Sequence, residues 1–325
     1  DNDNYSEFKI IHAQTKPYPN NWKHLLQNAI FSNKDYLHQL DKTYGEYLGN
    51  ITNEFILKYK IDTIDFIASH GHTVFHQPEK GYTLQIGAGK EISKITNLKV
   101  ICDFRTQDVK LGGQGAPLVP IGDELLFSEY DYCLNLGGFA NVSFKKENQR
   151  IAYDICPVNV VLNLYSQQLG FAFDSEGLLA AQGKLHTSVL NHLNQLDYYA
   201  DMPPKSLGIE WVRKHILPYI SQMENTKDIL RTYSEHAAFQ IAKSIENAST
   251  VLFTGGGVFN AFLMHQVQTL SSAKIVIPDT VTIEYKEALI FAFLGWLRSE
   301  NMVNCLASVT GAKKDHSSGK IFTPN

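Results

Sequence analysis

Apolar and polar positions along the chain repeat with two periods, one typical of helices and the other of strands. Apolar side chains recur every three or four positions over residues 22–60, which predicts helix. Compact apolar runs at 64–70 and 99–104 predict buried strands, and residues 8–13 predict a short extended segment. Strands that alternate with helices are typical of the α/β class, which we therefore expect here.

The pattern changes near residue 130, where closely spaced strands follow one another. Residues 132–136, 140–144 and 151–154 predict three strands, with a glycine turn between the first two. Strands followed by helices also occur near the start of the chain, although the two halves share no visible sequence identity. The repeated pattern therefore predicts a duplicated domain.

Three more elements complete the pattern in the second half. Residues 228–248 give the strongest helix prediction, with Thr232 as its cap and Glu235 three positions later. Residues 250–254 predict a strand that runs into three glycines. Residues 284–299 predict a last amphipathic helix.

Composition narrows the class of protein. A chain of 325 residues is long enough for about two domains, and 44% hydrophobic with 19% charged residues is ordinary for a globular protein. The 29 Lys and Arg residues do not outnumber the 33 Asp and Glu residues, which argues against a nucleic-acid partner. No apolar run is long enough to predict a membrane partner. The four cysteines form no CxxC pair, which favours reduced thiols and a cytoplasmic protein.

A glycine pair follows the strand at 132–136. Glycine lets backbone N–H groups approach an anion closely, so Gly137, Gly138 and the side chain of Asn141 are candidates to bind phosphate. A plain hairpin turn would use the same glycines. Both interpretations stay open on the sequence alone.

A second glycine run follows the strand at 250–254. Gly255, Gly256 and Gly257 precede Asn260 and a helical segment, so exposed N–H groups and the helix dipole favour a nucleotide phosphate or ribose. A tight strand-to-helix connection is the alternative. Three consecutive glycines are more than such a turn needs.

Asp154 is predicted to end the strand at 151–154, the position where α/β sheets place ligand-binding residues. A carboxylate there can take a proton from water or a hydroxyl. The alternative is that Asp154 caps the helical run at 160–169. The sequence does not separate these roles.

Two further polar clusters precede the second half. Arg105 and Asp108 lie three positions apart before a glycine-rich segment, so both can face one cleft and bind sugar hydroxyls or a carboxylate. A surface ion pair is the alternative. His70, His72 and His76 lack metal-ligand spacing, so we expect hydrogen-bonding histidines and predict no metal site.

Several of these segments, in this order, resemble the anhydro-N-acetylmuramic acid kinase family, from about residue 64 to the end of the sequence. The matching segments are residues 69–76, 83–87, 103–105, 112–120, 135–138, 140–142, 203–206, 254–257, 260 and 309–313.

The resemblance implies an actin-like ATPase fold of two ribonuclease-H-like lobes, with ATP and Mg²⁺ bound in a central cleft. On this chain we place the lobes at residues 1–128 and 129–325, with the last helix packing back towards the first lobe. It also implies a small amino sugar as partner and a homodimer as a possible assembly.

The resemblance also assigns roles to residues. It implies that Asp154 is the general base. The implied nucleotide-binding residues are Gly137, Gly138, Asn141, Gly255, Gly256, Gly257 and Asn260. The implied sugar-binding residues are Arg105, Asp108, His76, Gln114, Asn159 and Asp174.

The reaction implied by the resemblance belongs to cell-wall recycling. ATP phosphorylates O6 of 1,6-anhydro-N-acetylmuramic acid while water opens the anhydro bridge at C1, and N-acetylmuramic acid 6-phosphate forms. One alternative is a non-catalytic relative that binds the sugar or a nucleotide. Another is an interaction protein built on Hsp70-like ATPase lobes.

Two departures from the family pattern bear on activity. The family's first phosphate loop, Ser-Gly-Thr-Ser-x-Asp-Gly, is not found in this sequence, which also begins without Met. Either the sequence starts after that loop or the protein lacks it. Ile155 and Cys156 replace Thr and Gly of the family's Asp-Thr-Gly-Pro-x-Asn segment, which could narrow the pocket.

Overall fold

The computed structural model describes residue 5 and residues 7–324. The described chain is α/β and groups into two compact units. Residue 5 and residues 123–286 group into what we call the continuous unit, because all its strands lie in one stretch of the chain. Residues 7–122 and the segment that starts at residue 287 form the discontinuous unit. No helix in the described part of the chain is long and apolar enough to cross a membrane.

The elements are as follows. The strands are β1 (Ile67–Ser69), β2 (His72–Gln77), β3 (Tyr82–Ile86), β4 (Val100–Cys102), β5 (Tyr132–Leu136), β6 (Phe139–Lys146), β7 (Gln149–Pro157), β8 (Thr250–Thr254), β9 (Lys274–Val276) and β10 (Lys320–Phe322). The α-helices are α1 (Asn20–Asn28), α2 (Lys34–Tyr59), α3 (Gly89–Thr96), α4 (Thr106–Lys110), α5 (Pro120–Leu126), α6 (Asn159–Gln168), α7 (Leu178–Ala181), α8 (Thr187–Asn194), α9 (Ile209–His215), α10 (Leu217–Ile220), α11 (Thr226–Ser244), α12 (Ala261–Leu270), α13 (Thr280–Ser299) and α14 (Ala307–Thr310).

The continuous unit is built on a five-stranded mixed sheet with the strand order β7-β6-β5-β8-β9. Strands β5, β6 and β7 form an antiparallel meander, and β8 and β9 pair parallel to it through β5. This is the strand order of a ribonuclease-H-like lobe, as expected, and the α/β class with two compact units is confirmed. The predicted strands at 132–136, 140–144 and 250–254 are confirmed as β5, β6 and β8.

Helix α11 fills the core of this unit. Tyr233 and Ile241 on the helix and Leu134 and Phe253 on the sheet are fully buried in one apolar cluster. Burial of each such side chain stabilises the fold by about 1.5–3 kcal/mol. This cluster holds the sheet in place, and the candidate glycine turns follow strands β5 and β8 of that sheet.

The predicted cap of this helix is wrong. Helix α11 begins at Thr226, and the Asn225 side chain caps it by accepting a hydrogen bond from the backbone N–H of Lys227 at 2.9 Å. Thr232 lies buried inside the helix, where its hydroxyl oxygen accepts from the backbone N–H of His186 at 3.1 Å. Asn and Thr both cap helices well, so tertiary packing rather than residue type determines that Asn225 is the cap.

The discontinuous unit has a three-stranded sheet and a separate hairpin. In the sheet β4 is central, parallel to β1 and antiparallel to β10, and β2 pairs with β3 in the hairpin. The predicted strand at 99–104 is confirmed as β4, whereas the one at 64–70 shortens to β1. The segment at 8–13, predicted to be extended, belongs to no strand of the described chain, and its Ile11 is 75% exposed.

The helix predicted over 22–60 is broken once. Helix α1 ends in a 3₁₀ turn at Ala29–Phe31, and α2 starts afresh after Asn33. The extended Asn33 accepts a hydrogen bond from the N–H of Tyr36 at 2.9 Å, which caps the second helix. Trp22 and Tyr44, one from each helix, pack with ring centroids 5.3 Å apart in the core.

The chain passes between the units within α5, after Gly122, and again within α13, after Lys286. The two boundary residues of the continuous unit, Asp123 and Lys286, form a buried ion pair with Nζ and Oδ1 2.7 Å apart. The Ser143 hydroxyl donates to Asp123 Oδ2, and Arg150 Nη2 donates to the Ser143 hydroxyl at 2.7 Å. All four side chains are buried, so each charge depends on these partners.

We expect Lys286→Met to lower the free energy of unfolding by about 3 kcal/mol, because Asp123 stays buried with one partner fewer. Lys145→Met is the matched control. Lys145 pairs with Glu124 at 3.5 Å, and its side chain is 53% exposed, so its loss should cost less than about 1 kcal/mol. Urea unfolding of both variants measures the difference, and equal losses would contradict the prediction.

Candidate functional site

Two glycine turns meet at one edge of the five-stranded sheet. Strands β5 and β8 are parallel, with Asn135 directly opposite Thr254, so the turns that follow them leave the sheet side by side. The carboxyl ends of parallel strands are where open α/β sheets bind ligands. This edge is therefore the candidate site in the continuous unit.

Close backbone contact holds the two turns together. Gly255 has a φ of +83°, and a Cβ there would lie 2.5 Å from Asn135 Oδ1 and 2.8 Å from the Leu136 carbonyl oxygen. A Cβ on Gly257 would lie 2.7 Å from the Leu136 Cβ. Gly256 differs, because it is exposed and an added Cβ would meet no atom within 4 Å. Packing requires glycine at 255 and 257, whereas the backbone at 256 is open to solvent.

The Gly137–Gly138 turn supports the start of helix α6. The Gly138 carbonyl accepts hydrogen bonds from the N–H groups of Val158 at 2.8 Å and Val160 at 3.2 Å. The Gly137 carbonyl accepts from the N–H of Asn159 at 3.3 Å. The N-cap position of α6 is Val158, with no side-chain cap, so the alternative that Asp154 caps this helix is wrong.

Asp154 lies within β7 rather than at its end, because Cys156 and Pro157 continue the pairing with β6. It is opposite Asn141, which is in turn opposite Asn135 on β5. Paired residues of neighbouring strands share a face. The sheet therefore carries a polar row of Asp154, Asn141 and Asn135 beside the glycine turns. Asn135 was not predicted as a site residue, because its sequence context is that of a buried strand.

The Asp154 carboxylate is held at one oxygen. Oδ2 accepts a hydrogen bond from the backbone N–H of Leu207 at 2.9 Å, and none of the described residues donates to Oδ1. Burial raises the pKa of Asp154 above its ordinary value, and the Leu207 hydrogen bond offsets part of that rise. A half-buried carboxylate with one unengaged oxygen can accept a proton.

A backbone hydrogen bond places Lys205 beside Asp154. The Asp154 N–H donates to the Lys205 carbonyl at 3.3 Å, and Lys205 Nζ donates to the Tyr198 carbonyl at 2.9 Å. Its Nζ also lies 4.6 Å from the Tyr198 ring centroid and 5.4 Å from that of Tyr153. Burial lowers the pKa of Lys205. No role was predicted for Lys205 by itself, although its Pro-Pro-Lys-Ser segment carried part of the resemblance.

Three other predicted residues of this unit have local structural roles. Both carboxylate oxygens of Asp174, which is 6% exposed, accept backbone N–H groups, from Leu179 at 2.8 Å and Ala180 at 2.9 Å. Asn260 caps α12 by accepting from the N–H of Leu263 at 2.9 Å. Asn159 is half-buried at the start of α6. Their binding of sugar or nucleotide stays a prediction.

In the discontinuous unit, Arg105 and Asp108 hold the same glycine. Arg105 Nη1 donates to the Gly115 carbonyl at 2.7 Å, and Asp108 Oδ2 accepts from the Gly115 N–H at 2.6 Å. Asp108 is fully buried, so the alternative of a surface ion pair is wrong. Asp108 supports the glycine-rich loop at 111–119, which we call the Gly115 loop, from the interior of the unit, whereas Arg105 is only partly buried.

His70 fixes the guanidinium of Arg105. Arg105 Nη2 lies 2.8 Å from His70 Nε2, and His70 Nδ1 lies 3.1 Å from the Gly71 carbonyl. Burial, together with the nearby Arg105 charge, lowers the pKa of His70 to about 4. His70 is therefore neutral near pH 7, with Nδ1 protonated and Nε2 free to accept from Arg105.

His76 and Gln114 lie around the same loop. Both side chains are exposed, and His76 Cε1 would lie 3.5 Å from a Cβ added to Gly115. The Gln114 N–H donates to the Thr310 carbonyl at 2.7 Å. The structure thus brings Arg105, Asp108, His76 and Gln114 together around one loop.

The two substituted positions after Asp154 do not face this edge of the sheet. Ile155 and Cys156 are 2% and 0% exposed and belong to the apolar core of the continuous unit. Their side chains pack inside the unit, where they affect the sheet rather than a ligand directly.

The sheet order, the two glycine turns and the polar row define an α/β protein whose candidate site lies at the carboxyl ends of β5 and β8. The sequence model of the family described as anhydro-N-acetylmuramic acid kinase matches residues 2–324. The chain belongs to that family.

Individual relatives support the same family assignment. The chain is 34% identical over 311 residues to the anhydro-N-acetylmuramic acid kinase of Mannheimia succiniciproducens, covering 88% of this chain and 82% of that protein. It is 32% identical over 338 residues to the Legionella pneumophila (strain Lens) kinase of the same name, covering 97% and 91%. It is 34% identical over 304 residues to the Vibrio cholerae kinase of that name, covering 86% and 81%.

We expect Asp154→Asn and Asp174→Asn to change stability in opposite directions at neutral pH. Asn at 154 keeps an oxygen for Leu207 and removes a charge whose burial opposes folding, so the free energy of unfolding should rise. Asn at 174 places an amide against one of two N–H donors and should cost about 1–3 kcal/mol.

The size of the Asp154→Asn effect depends on pH. The pKa of Asp154 is raised in the folded protein. The protonated group therefore contributes its full share to the free energy of unfolding below about its ordinary pKa of 3.8, and this contribution is lost as pH rises through the folded pKa. The advantage of Asp154→Asn should therefore shrink as pH falls from 7 towards 4. Urea unfolding at several pH values measures this, and a constant difference would count against it.

Proposed function

We propose that the protein is an ATP-dependent kinase that opens and phosphorylates 1,6-anhydro-N-acetylmuramic acid to N-acetylmuramic acid 6-phosphate. Family membership supports a sugar kinase of this kind. The observation that carries the proposal is the half-buried Asp154, with one free carboxylate oxygen beside two glycine turns.

In this proposal Asp154 acts as the general base. Its Oδ1 takes a proton from a water molecule, whose oxygen forms a bond to C1 of the sugar while the C1–O6 bond breaks. O6 forms a bond to the γ-phosphorus of ATP as the bond to ADP breaks. The raised pKa makes Asp154 a stronger base than an exposed aspartate, and the Leu207 N–H keeps the carboxylate oriented.

The nucleotide would bind at the glycine turns. The backbone at Gly256 is exposed and has room for a ligand, which suits a phosphate or ribose. Gly137 and Gly138 would contribute from the neighbouring turn, and Asn141 from β6. Mg²⁺ would neutralise phosphate charge, held mainly by phosphate oxygens and water as it commonly is with nucleotides.

The sugar would contact the Gly115 loop. Arg105 has five N–H donors, and its contacts with Gly115 and His70 leave donors for a carboxylate or hydroxyl. His76 and Gln114 are exposed beside it and can donate or accept hydrogen bonds. Asp108 would act from behind the loop by holding Gly115.

We expect Asp154→Asn to lower kcat by about a hundredfold to ten-thousandfold, the usual contribution of a general base, with ATP affinity unchanged. Asp201→Asn is the control, because Asp201 is exposed in a nearby loop. ADP release in the presence of 1,6-anhydro-N-acetylmuramic acid and ATP binding by calorimetry are the measurements. Wild-type turnover in Asp154→Asn would refute the assignment, and ligand binding without turnover in the wild type would indicate a non-catalytic relative.

We expect Arg105→Lys to raise KM for the sugar about tenfold, because lysine cannot hold Gly115 and His70 and still reach a ligand. KM for ATP should stay the same. Arg298→Lys is matched, since Arg298 also donates to a backbone carbonyl, that of Gly319 at 2.8 Å. Steady-state kinetics of both variants test this, and an equal rise in KM for the sugar in both variants would contradict a specific role of Arg105 in sugar binding.

A further inference from the structure

Three side chains of the types that bind metals meet behind the Gly115 loop. Asp108, Cys305 and His316 are all buried, and their ligand atoms lie within 4.8 Å of one another. Cys305 Sγ is 3.1 Å and His316 Nε2 is 3.6 Å from Asp108 Oδ1. In a tetrahedral zinc site, with bonds of about 2.0–2.3 Å, neighbouring ligand atoms are separated by similar distances.

His316 presents an unpartnered nitrogen to this cluster. Its Nδ1 lies 3.1 Å from the Lys314 carbonyl, which places the ring proton on Nδ1. Nε2 is buried and has no hydrogen-bond partner among the described residues. Its side chain is 3% exposed. A histidine that donates from one nitrogen to a carbonyl and keeps a lone pair on the other has the form of a metal ligand.

The backbone fixes two of the ligands relative to each other. Cys305 and His316 form an antiparallel bridge in which each N–H donates to the carbonyl of the other at 3.1 Å. Between them, the Ala307 N–H donates to Asp315 Oδ1 at 2.7 Å and holds the intervening loop. The two side chains are therefore held beside Asp108 before any ion arrives.

We propose that Asp108, Cys305 and His316 form a structural site for a zinc-type divalent ion. Mixed oxygen, sulfur and imidazole ligands suit Zn²⁺ and Co²⁺, whereas Mg²⁺ prefers oxygen alone. Binding converts the Cys305 thiol to a thiolate, forms the metal–sulfur bond and releases one proton to solvent. The Thr310 hydroxyl donates to Asp108 Oδ1 at 2.7 Å and helps to hold this carboxylate in place.

An ion here would act on the loop through Asp108. One oxygen of this carboxylate faces Cys305 and His316, and the other accepts from the Gly115 N–H at 2.6 Å. Gly115 in turn accepts from Arg105. The ion would stiffen the loop that carries Arg105, but the proposal does not depend on which ligand Arg105 binds.

The test is a titration of chelator-treated protein with CoCl₂ and then ZnCl₂. Wild type should bind one equivalent of Co²⁺ with a thiolate-to-cobalt charge-transfer absorption, which Zn²⁺ abolishes. Cys305→Ser should lose that absorption, and His316→Gln should weaken binding at least about tenfold. Cys102→Ser is the matched control, because Cys102 is a buried cysteine on β4 of the same unit that lies outside the cluster.

Stability provides a second measurement. Zn²⁺ should raise the unfolding temperature of wild type and Cys102→Ser but not of Cys305→Ser, since only an intact site binds. If Cys305→Ser does not fold, His316→Gln decides. The proposal is overturned if wild type binds no ion at millimolar metal, or if the absorption and affinity persist in both ligand variants.

Discussion

The candidate site of the continuous unit depends on how closely two backbone segments approach at the ends of β5 and β8. Gly255 and Gly257 lie against Leu136, where any side chain would meet backbone or Cβ atoms at under 3 Å. The parallel register of the two strands creates this contact, and Gly137 and Gly138 then anchor the start of α6. The contact thus aligns both turns, and β6 connects β5 to the strand that carries Asp154. A larger residue at 255 or 257 would separate all of these elements together.

Much of the fold could be predicted because hydrophobic runs bounded by glycine or polar turns are local signals. Strands β5, β6 and β8 coincide with such runs, and so does α13. The errors lie where the outcome depends on distant partners. The segment at 8–13 is apolar enough to predict extended structure but belongs to none of the strands in the described residues. Thr232 is of a residue type that caps helices, but it is buried within a helix that Asn225 caps.

The candidate site was predictable to a different degree in each unit. The glycine turns follow strands directly, so position along the chain was enough to place them at the end of the sheet. Asp154 was expected to end its strand but lies within β7. The burial of Asp108 was not visible, because its partners Cys305 and Thr310 lie 197 and 202 positions away. A short spacing to Arg105 favoured a shared cleft, whereas the fold directs one side chain inward and leaves the other partly exposed.

The path of the chain sets the order in which the protein can acquire its structure on the ribosome. All strands of the five-stranded sheet are encoded between residues 132 and 276, in one uninterrupted stretch. The three-stranded sheet, in contrast, needs β10 at Lys320–Phe322 to cover the side of β4 that β1 leaves free. Strand β4 is therefore translated before its partner β10, and it exposes one edge while the intervening unit is made.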